Sequence, residues 1–295
     1  MADTYQLVSE KITAALEAGT VPWQKPWAAG GGIPRNLVSK RAYRGMNLVL
    51  LALGTPYASP WWLTYRQAET LGGHVKKGEK ASLVTFWKLP ERSTTPDQPE
   101  EGADVAQRRA PILRHYFVFN VAQCEGIPAP PQPDFTPTPH ERISWCEQVI
   151  QGMPQAPEIR TGYDAAFYSP TVDYVGMPDL ERFRSAEDYY ATLFHELVHS
   201  TGHGSGLDRP FASNPAPFGS PDYSREELVA EVGAAFLCGH SGIFPRTAEN
   251  QAAYISGWLG ALKGDKRLLP IAAAQAQKAA DFILNTTRAS EGEAA

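Results

Sequence analysis

Two histidines four residues apart flank a glutamate in the segment His195-Glu196-Leu197-Val198-His199. On a helix, residues four apart lie one above the other on the same face. His195 and His199 can therefore aim both imidazoles at one metal ion. Glu196 sits beside them, placed to take a proton from a water at that ion without binding the ion itself. The chemistry implied is metal-assisted hydrolysis. Seven histidines in 295 residues make an accidental match rare, so the pattern carries weight where its surroundings are helical. The plainer alternative is a core helix with two hydrogen-bonded histidines.

The surroundings predict a helix. Ser185 is followed three residues later by Asp188, a capping-box-like start. Tyr189 to Phe194 contain neither Gly nor Pro, and Gly202 and Gly204 mark the end. Phe194, Leu197 and Val198 form the side expected to be buried beside the metal face.

A catalytic centre of this kind needs a third protein ligand. In metzincins a Gly follows the second His by three residues, and Gly202 fits, but the His or Asp expected three further on is Ser205. His203 lies beyond Gly202 and is expected at the rim, as a minor alternative ligand. A second helix predicted over residues 224–238 (SREELVAEVGAAFLC) carries Glu227 and Glu231 four apart on one face, beside an apolar stripe of Leu228, Val232, Ala235 and Phe236. This resembles the gluzincin pattern. That resemblance implies Glu227 as the third ligand and Glu231 as the group that orients a ligating histidine. Glu226 is expected to point away into solvent, and Glu226→Ala to leave the metal in place. Tyr223 and His203 are candidates to stabilise an oxyanion. The expected metal is Zn2+, with Mn2+ or another divalent ion as the alternative.

These elements sit in a chain whose composition, 43% hydrophobic and 20% charged, is globular and long enough for two domains. Cys124, Cys146 and Cys238 are odd in number and lack CxxC spacing, so no disulfide framework is implied and a cytoplasmic location is expected. Residues 1–20 lack an apolar signal core, and no stretch approaches a membrane span. Charge is divided unevenly. Residues 1–128 hold 15 Lys+Arg against 11 Asp+Glu, and the remainder 12 against 21. Residues 20–92 hold 11 basic against 3 acidic residues. This asymmetry points to a nucleic-acid-binding front end.

In chain order, residues 4–18 read as an amphipathic helix with Leu7, Ile12 and Leu16 on one side. A Pro-broken segment then exposes Trp23 and Trp27. The run LVLLAL predicts a helix, residues 61–73 a helix with aromatic entry, and residues 74–88 a hairpin around Lys77-Gly78-Glu79. Residues 93–110 are polar and lack periodicity, as a disordered loop does. Residues 112–124 read as a strand closing the sheet, and 127–139 as a Pro-rich linker. A helix follows at 140–151. AAFYSP (165–170) and DYVGMP (173–178) are short β-like runs, expected as a hairpin or strand pair, that lead into the HExxH helix; in zincins an edge strand before this helix binds an extended peptide by strand addition. Helices at 247–263 and 266–286 complete the domain, ahead of a frayed tail.

Five of the seven Trp lie between positions 23 and 87, among the basic residues. Single strands are held by basic grooves along the backbone and by rings that stack on bases. Candidate rings are Trp23, Trp27, Tyr43, Trp61, Trp62, Tyr65, Phe86 and Trp87. Candidate phosphate contacts are Lys25, Arg41, Arg44, Arg66, Lys76, Lys77, Lys80 and Lys88. Half or more of these rings are expected to serve the core instead.

The runs YRGMN (43–47), WLTYRQAETLGGHVKKGEKASLVTFWK (62–88) and HYFVFNVAQCEG (115–126) resemble the N-terminal domain of ArdC-type antirestriction proteins of conjugative plasmids, a domain similar to one in TraC-type plasmid primases. DYVGMP, TLFHELVHSTGH and YSREELVAEVGAAFLC resemble that family's zincin-like domain. The resemblance implies an α+β chain of two domains. A mixed α/β single-stranded-DNA-binding domain would span 1–128, and a zincin-like, gluzincin-type metallopeptidase domain 129–295. It implies protection of incoming plasmid DNA from host restriction, with single-stranded DNA as partner; a protein substrate such as a restriction-system component is a separate expectation, and that proteolysis serves the protection does not follow from the resemblance. The competing expectation is a DNA-masking protein whose metal centre is structural. A nuclease is disfavoured, because two-metal nucleases need clustered carboxylates and this motif offers paired histidines.

Overall fold

The computed structural model describes residues 3–24, 32–53, 57, 59–88, 111–128, 138–209, 221–243 and 251–286. The polar loop expected over 93–110 lies outside the described residues, as do most of the 127–139 linker and the tail.

Helix α1 (Thr4–Glu17) starts where the Asp3 carboxylate accepts the Tyr5 N–H, and it buries Thr4, Val8, Ile12 and Leu16. A four-stranded sheet follows in the order β1 (Arg35–Asn36), β2 (Trp61–Leu63), β5 (Ile112–Asn120), β4 (Ser82–Lys88), with β1 parallel to β2 and the other pairs antiparallel. Helix α2 (Met46–Ala52) covers the free edge of β4. There the Asn47 side chain accepts the Thr85 N–H and donates to the Thr85 carbonyl, satisfying groups that an open edge would expose. Helix α3 (Tyr65–Thr70) packs beside the sheet.

Two sequence expectations fail in this half. Residues 61–73 are not one helix. Trp61–Leu63 form a strand, and the helix begins only at Thr64, whose hydroxyl accepts the Gln67 N–H while the Gln67 side chain accepts the Thr64 N–H. Residues 74–88 are not a hairpin either. β3 (His74–Val75) pairs with β6 (Cys124–Glu125), and β4 pairs with β5. Gln123 causes the separation: its carbonyl accepts the Lys76 N–H, and its side chain donates to Glu79 and to the Lys80 carbonyl.

In the second half, α4 (Pro139–Gly152) opens with a capping box at Thr138 and Glu141. A three-stranded sheet has the order β7 (Glu158–Arg160), β9 (Tyr174–Gly176), β8 (Phe167–Ser169), leaving β8 at an edge. Then come α5 (Ala186–Ser200), α6 (Pro221–Ser241), α7 (Gln251–Gly264) and α8 (Leu268–Ile283). Ser185 caps α5 by accepting the Asp188 N–H, as the sequence suggests. Helices α5 and α6 cross closely at Gly233, where an added Cβ would stand 2.8 Å from Cγ2 of Val198. That approach brings α6 within reach of the histidines on α5.

The two halves share one apolar core. Val8, Ile12, Leu16 and Trp23 lie in the same buried cluster as Trp258, Leu262 and Ala273. Arg44 pairs with Asp281, and the Gly45 N–H donates to the Gln277 side chain. Among the described residues, no helix is long and apolar enough to cross a membrane.

Candidate metal centre

His195, Glu196 and His199 stand on α5, and Glu227 stands in the first turns of α6. Ligand atoms of His195, His199 and Glu227 all lie within 4.8 Å of one another, and this is the only such group among the described residues. Nε2 of His195 is 3.2 Å from Nε2 of His199, and the Glu227 oxygens lie 3.5 Å and 3.6 Å from these two nitrogens. Ligands held at about 2.0–2.1 Å around a tetrahedral cation stand about 3.3–3.4 Å apart. The spacing therefore fits one divalent ion with two imidazoles and one carboxylate. Glu196 is buried beside them and is not one of the three.

The local charge fits a cation as well. Burial alone would lower the His195 pKa. The Glu227 hydrogen bond and the charges of Glu231, Glu196 and Glu227 outweigh it and hold the imidazole up at about 9. Glu196 moves the other way from an ordinary base held in water: burial raises its pKa, against the lowering effect of both histidines and of a hydrogen bond from the Tyr168 backbone on β8. Glu227 stays below the usual carboxylate range despite burial, because His195 and His199 favour its charged form.

Glu226 does not point into solvent. It is buried, and its Oε1 lies 3.3 Å from Nδ1 of His199. Arg209, also buried, grips the same carboxylate with Nε at 3.1 Å and a terminal nitrogen at 2.6 Å, and also donates to the Thr201 hydroxyl and the Val198 carbonyl. The ring of His199 is thus held from its far edge by an acid that is itself clamped. Glu231 lies one turn beyond Glu227, and its charge acts on His195.

Tyr223, at the start of α6, hydrogen-bonds to Glu227, and burial with that neighbour pushes its hydroxyl up to about 12. His203 turns elsewhere: its Nδ1 is 2.8 Å from the Ser205 hydroxyl and 3.6 Å from Asp173, which also accepts the Tyr168 hydroxyl.

The proposed DNA contacts divide. Trp23 is only 1% exposed and meets Trp258 edge-on, and Tyr43 and Trp62 are buried too, so these three serve the core. Phe86 is half-buried against Tyr116. Arg44 is paired to Asp281, and Lys76 donates to the Ala122 carbonyl. Tyr65 and Trp87 are well exposed, Trp61 is half-buried beneath the ammonium of Lys40, and Arg41, Arg66, Lys77, Lys80 and Lys88 are exposed. Lys25 and Trp27 lie outside the described residues. Phe117 and Phe119 of β5, outside the candidate set, are exposed and half-buried respectively, on the strand face that the alternation in ILRHYFVFN marks.

Residues 2–119 match the N-terminal domain of anti-restriction factor ArdC, and residues 147–275 match a zincin-like metallopeptidase profile. The antirestriction ArdC protein from plasmid R388 is 40% identical in its Mn(II)-bound crystal structure, covering 96% of this chain and 98% of that one with a TM-score of 0.74. Its metal-free structure gives a TM-score of 0.75 at 39% identity. An uncharacterised protein of Sinorhizobium fredii, y4eC, is 36% identical over 95% of this chain and 91% of its own length. A DNA primase TraC of Escherichia coli is 38% identical over 95% of this chain, which spans 27% of that primase.

Proposed function

The chain belongs to the ArdC antirestriction family, and from that premise we propose that it binds single-stranded DNA and carries a metal-dependent peptidase centre, with Zn2+ as the native ion and a cytoplasmic site of action. The observation that carries the catalytic reading is the convergence of three ligands beside a buried carboxylate that is not a ligand. Three protein ligands leave a coordination position for water or substrate, whereas a structural zinc is closed by four.

A bound divalent ion supplies Lewis acidity to a carbonyl and acidifies a water. The chain supplies the rest. Glu196, with its pKa raised by burial, accepts the proton of the attacking water and returns it to the leaving amine. The Tyr223 hydroxyl donates to the oxyanion. The edge strand β8 lies against α5 next to Glu196, where an extended peptide can add as a further strand. Protection of incoming plasmid DNA would then combine DNA binding with cleavage of a protein substrate, a restriction-system component being the natural class.

The test is metal content and peptide-bond cleavage measured on the same samples. His195→Ala should lose the metal and any cleavage. Glu196→Gln should keep the metal and lose cleavage. A full chain that binds one ion tightly, yet cleaves neither unstructured proteins nor itself with DNA present, would favour a structural metal and DNA masking.

A further inference from the structure

β5 carries a row of rings that the sheet leaves partly open. His115, Phe117 and Phe119 alternate along the strand, so their side chains share one face. Tyr65 meets Phe119 at 6.5 Å between ring centroids, and Phe117 meets His115 at 5.8 Å, both edge-on. Leu113, directly opposite Trp87 in the register, is on the same face but buried, and Nδ1 of His115 lies 3.0 Å from the Thr4 hydroxyl, so the start of α1 lies over the stretch between Phe117 and Trp87. There Tyr5 meets Trp87 at 6.4 Å, and the Arg267 guanidinium lies 5.4 Å from the Tyr5 ring. Tyr65 is 52%, Phe117 51% and Trp87 43% exposed, unusual for rings of this size.

The electrostatic setting is one-sided. In residues 32–88 and 111–128 the basic side chains are Arg35, Lys40, Arg41, Arg44, Arg66, Lys76, Lys77, Lys80, Lys88 and Arg114, and the acids are Glu69, Glu79 and Glu125 alone. Arg66 follows Tyr65 at one end of the row; at the other, Arg267 stands near Asp3, which pairs with Lys266. A protein-docking patch would have no need of this excess. Rings two residues apart on a strand are about 6.8 Å apart, twice the roughly 3.4 Å between stacked bases of one strand. That spacing leaves room for a ring between successive bases.

We propose that the open part of this β5 face, with exposed Phe117 and, beside it, Phe119 and Tyr65, is the stacking platform for single-stranded nucleic acid. This rests on the DNA-binding reading above and replaces the buried Trp23, Tyr43 and Trp62 as its ring contacts.

The experiment titrates the full chain into a fluorescent oligothymidylate by anisotropy at several salt concentrations, with thermal melting of each variant. Phe117→Ala and Tyr65→Ala should each weaken binding about fivefold or more at every salt concentration. They should leave the melting temperature and the salt slope unchanged, because both rings are half in solvent. Phe117→Trp should restore affinity. Lys77→Ala with Lys80→Ala should instead flatten the salt slope by about 0.7 per lost phosphate contact. If the parent chain fails to bind the oligonucleotide at low salt, the DNA-binding reading itself falls. If it binds and both ring variants bind equally well, or if a duplex competes as effectively as the single strand, the platform is refuted and the reading stands on charge alone. Loss of self-association in Phe117→Ala with unchanged DNA affinity would also refute it and make this face a protein-docking surface.

Discussion

Glu226 and His199 are in contact, 3.3 Å apart from carboxylate oxygen to Nδ1, on the ring edge opposite the one that meets Glu227. Adjacent residues on α6 thus approach the same imidazole from two sides. On the proposed ligand set, Glu227 would share the metal with it and Glu226 would fix its orientation and tautomer. Glu226→Ala should therefore lower metal affinity by about 10–100-fold, the usual cost of losing such a partner. It should also destabilise the fold by about 3–5 kcal/mol, since it strands the buried Arg209 without its carboxylate. Glu226→Gln, which keeps an acceptor for His199, should retain more affinity than Glu226→Ala. Competition titration against a chelating indicator measures both. Unchanged affinity in the alanine variant would show that the contact is incidental.

The ligand set predicts a sharp split. His195→Ala, His199→Ala and Glu227→Ala should each leave substoichiometric metal after dialysis, because each removes one of three convergent donors. Glu196→Gln should bind a full equivalent, because the base is not a donor. Elemental analysis decides the matter. A Glu227→Ala protein that keeps its metal would move the third ligand to Glu231.

The parts of this centre legible in the sequence are those set by a single helix. His195 and His199 needed only the helical repeat; the same repeat puts Glu227 and Glu231 on one face, while their separate roles rest on the resemblance to gluzincins. Glu226 was not legible. Its direction depends on how α6 is rotated against α5 and on Arg209, held by the turn after α5, and no local pattern states either. The same limit applies to the rings. Trp23 lies among basic and Pro residues and reads as exposed, but it is covered by Trp258 on α7, far along the chain. Alternation along β5 marks two faces without saying where α1 and α3 come over them, and Phe117 stays exposed between Thr4 of α1 on His115 and Tyr65 of α3 on Phe119. The hairpin at 74–88 failed for a related reason, because Gln123 supplies the partners that the local turn would have used.

Gly233 should be intolerant of any side chain. A Cβ there would stand 2.8 Å from one Val198 methyl and 3.0 Å from the other. Val198 is fully buried next to His199, so it cannot swing away. Gly233→Ala should destabilise by about 1–3 kcal/mol as an overpacked core position, and should weaken metal binding by widening the gap between α5 and α6. The double variant Gly233→Ala with Val198→Ala removes the clashing methyls and should recover part of the metal affinity. Denaturant melts and metal titrations on the three proteins measure this, and a double variant no better than Gly233→Ala would place the strain elsewhere.

The thiols give a stability prediction with a definite sign. Cys146 and Cys238 are buried, and burial pushes Cys146 up to about 11 and Cys238 well above the ordinary thiol range. Both stay protonated in the folded chain at a pH where unfolded thiols, at about 8.5, have begun to ionise. Between those values the unfolded state binds fewer protons than the folded one. Stability that is fully present below about pH 8.5 should therefore decline as pH rises towards 11, by about 1.4 kcal/mol per pH unit for each such thiol. Other groups titrate in the same window, so the informative quantity is a difference. The variant with Cys146→Ala and Cys238→Ala should lose less stability between pH 8.5 and pH 10.5 than the parent, whatever its stability at pH 7. The same burial makes both thiols inert to a thiol-reactive probe at pH 8, leaving half-exposed Cys124 to react first and the other two only after unfolding. Equal pH dependence in parent and variant, or rapid labelling of all three thiols in the native state, would show that Cys146 and Cys238 are not sealed in the core.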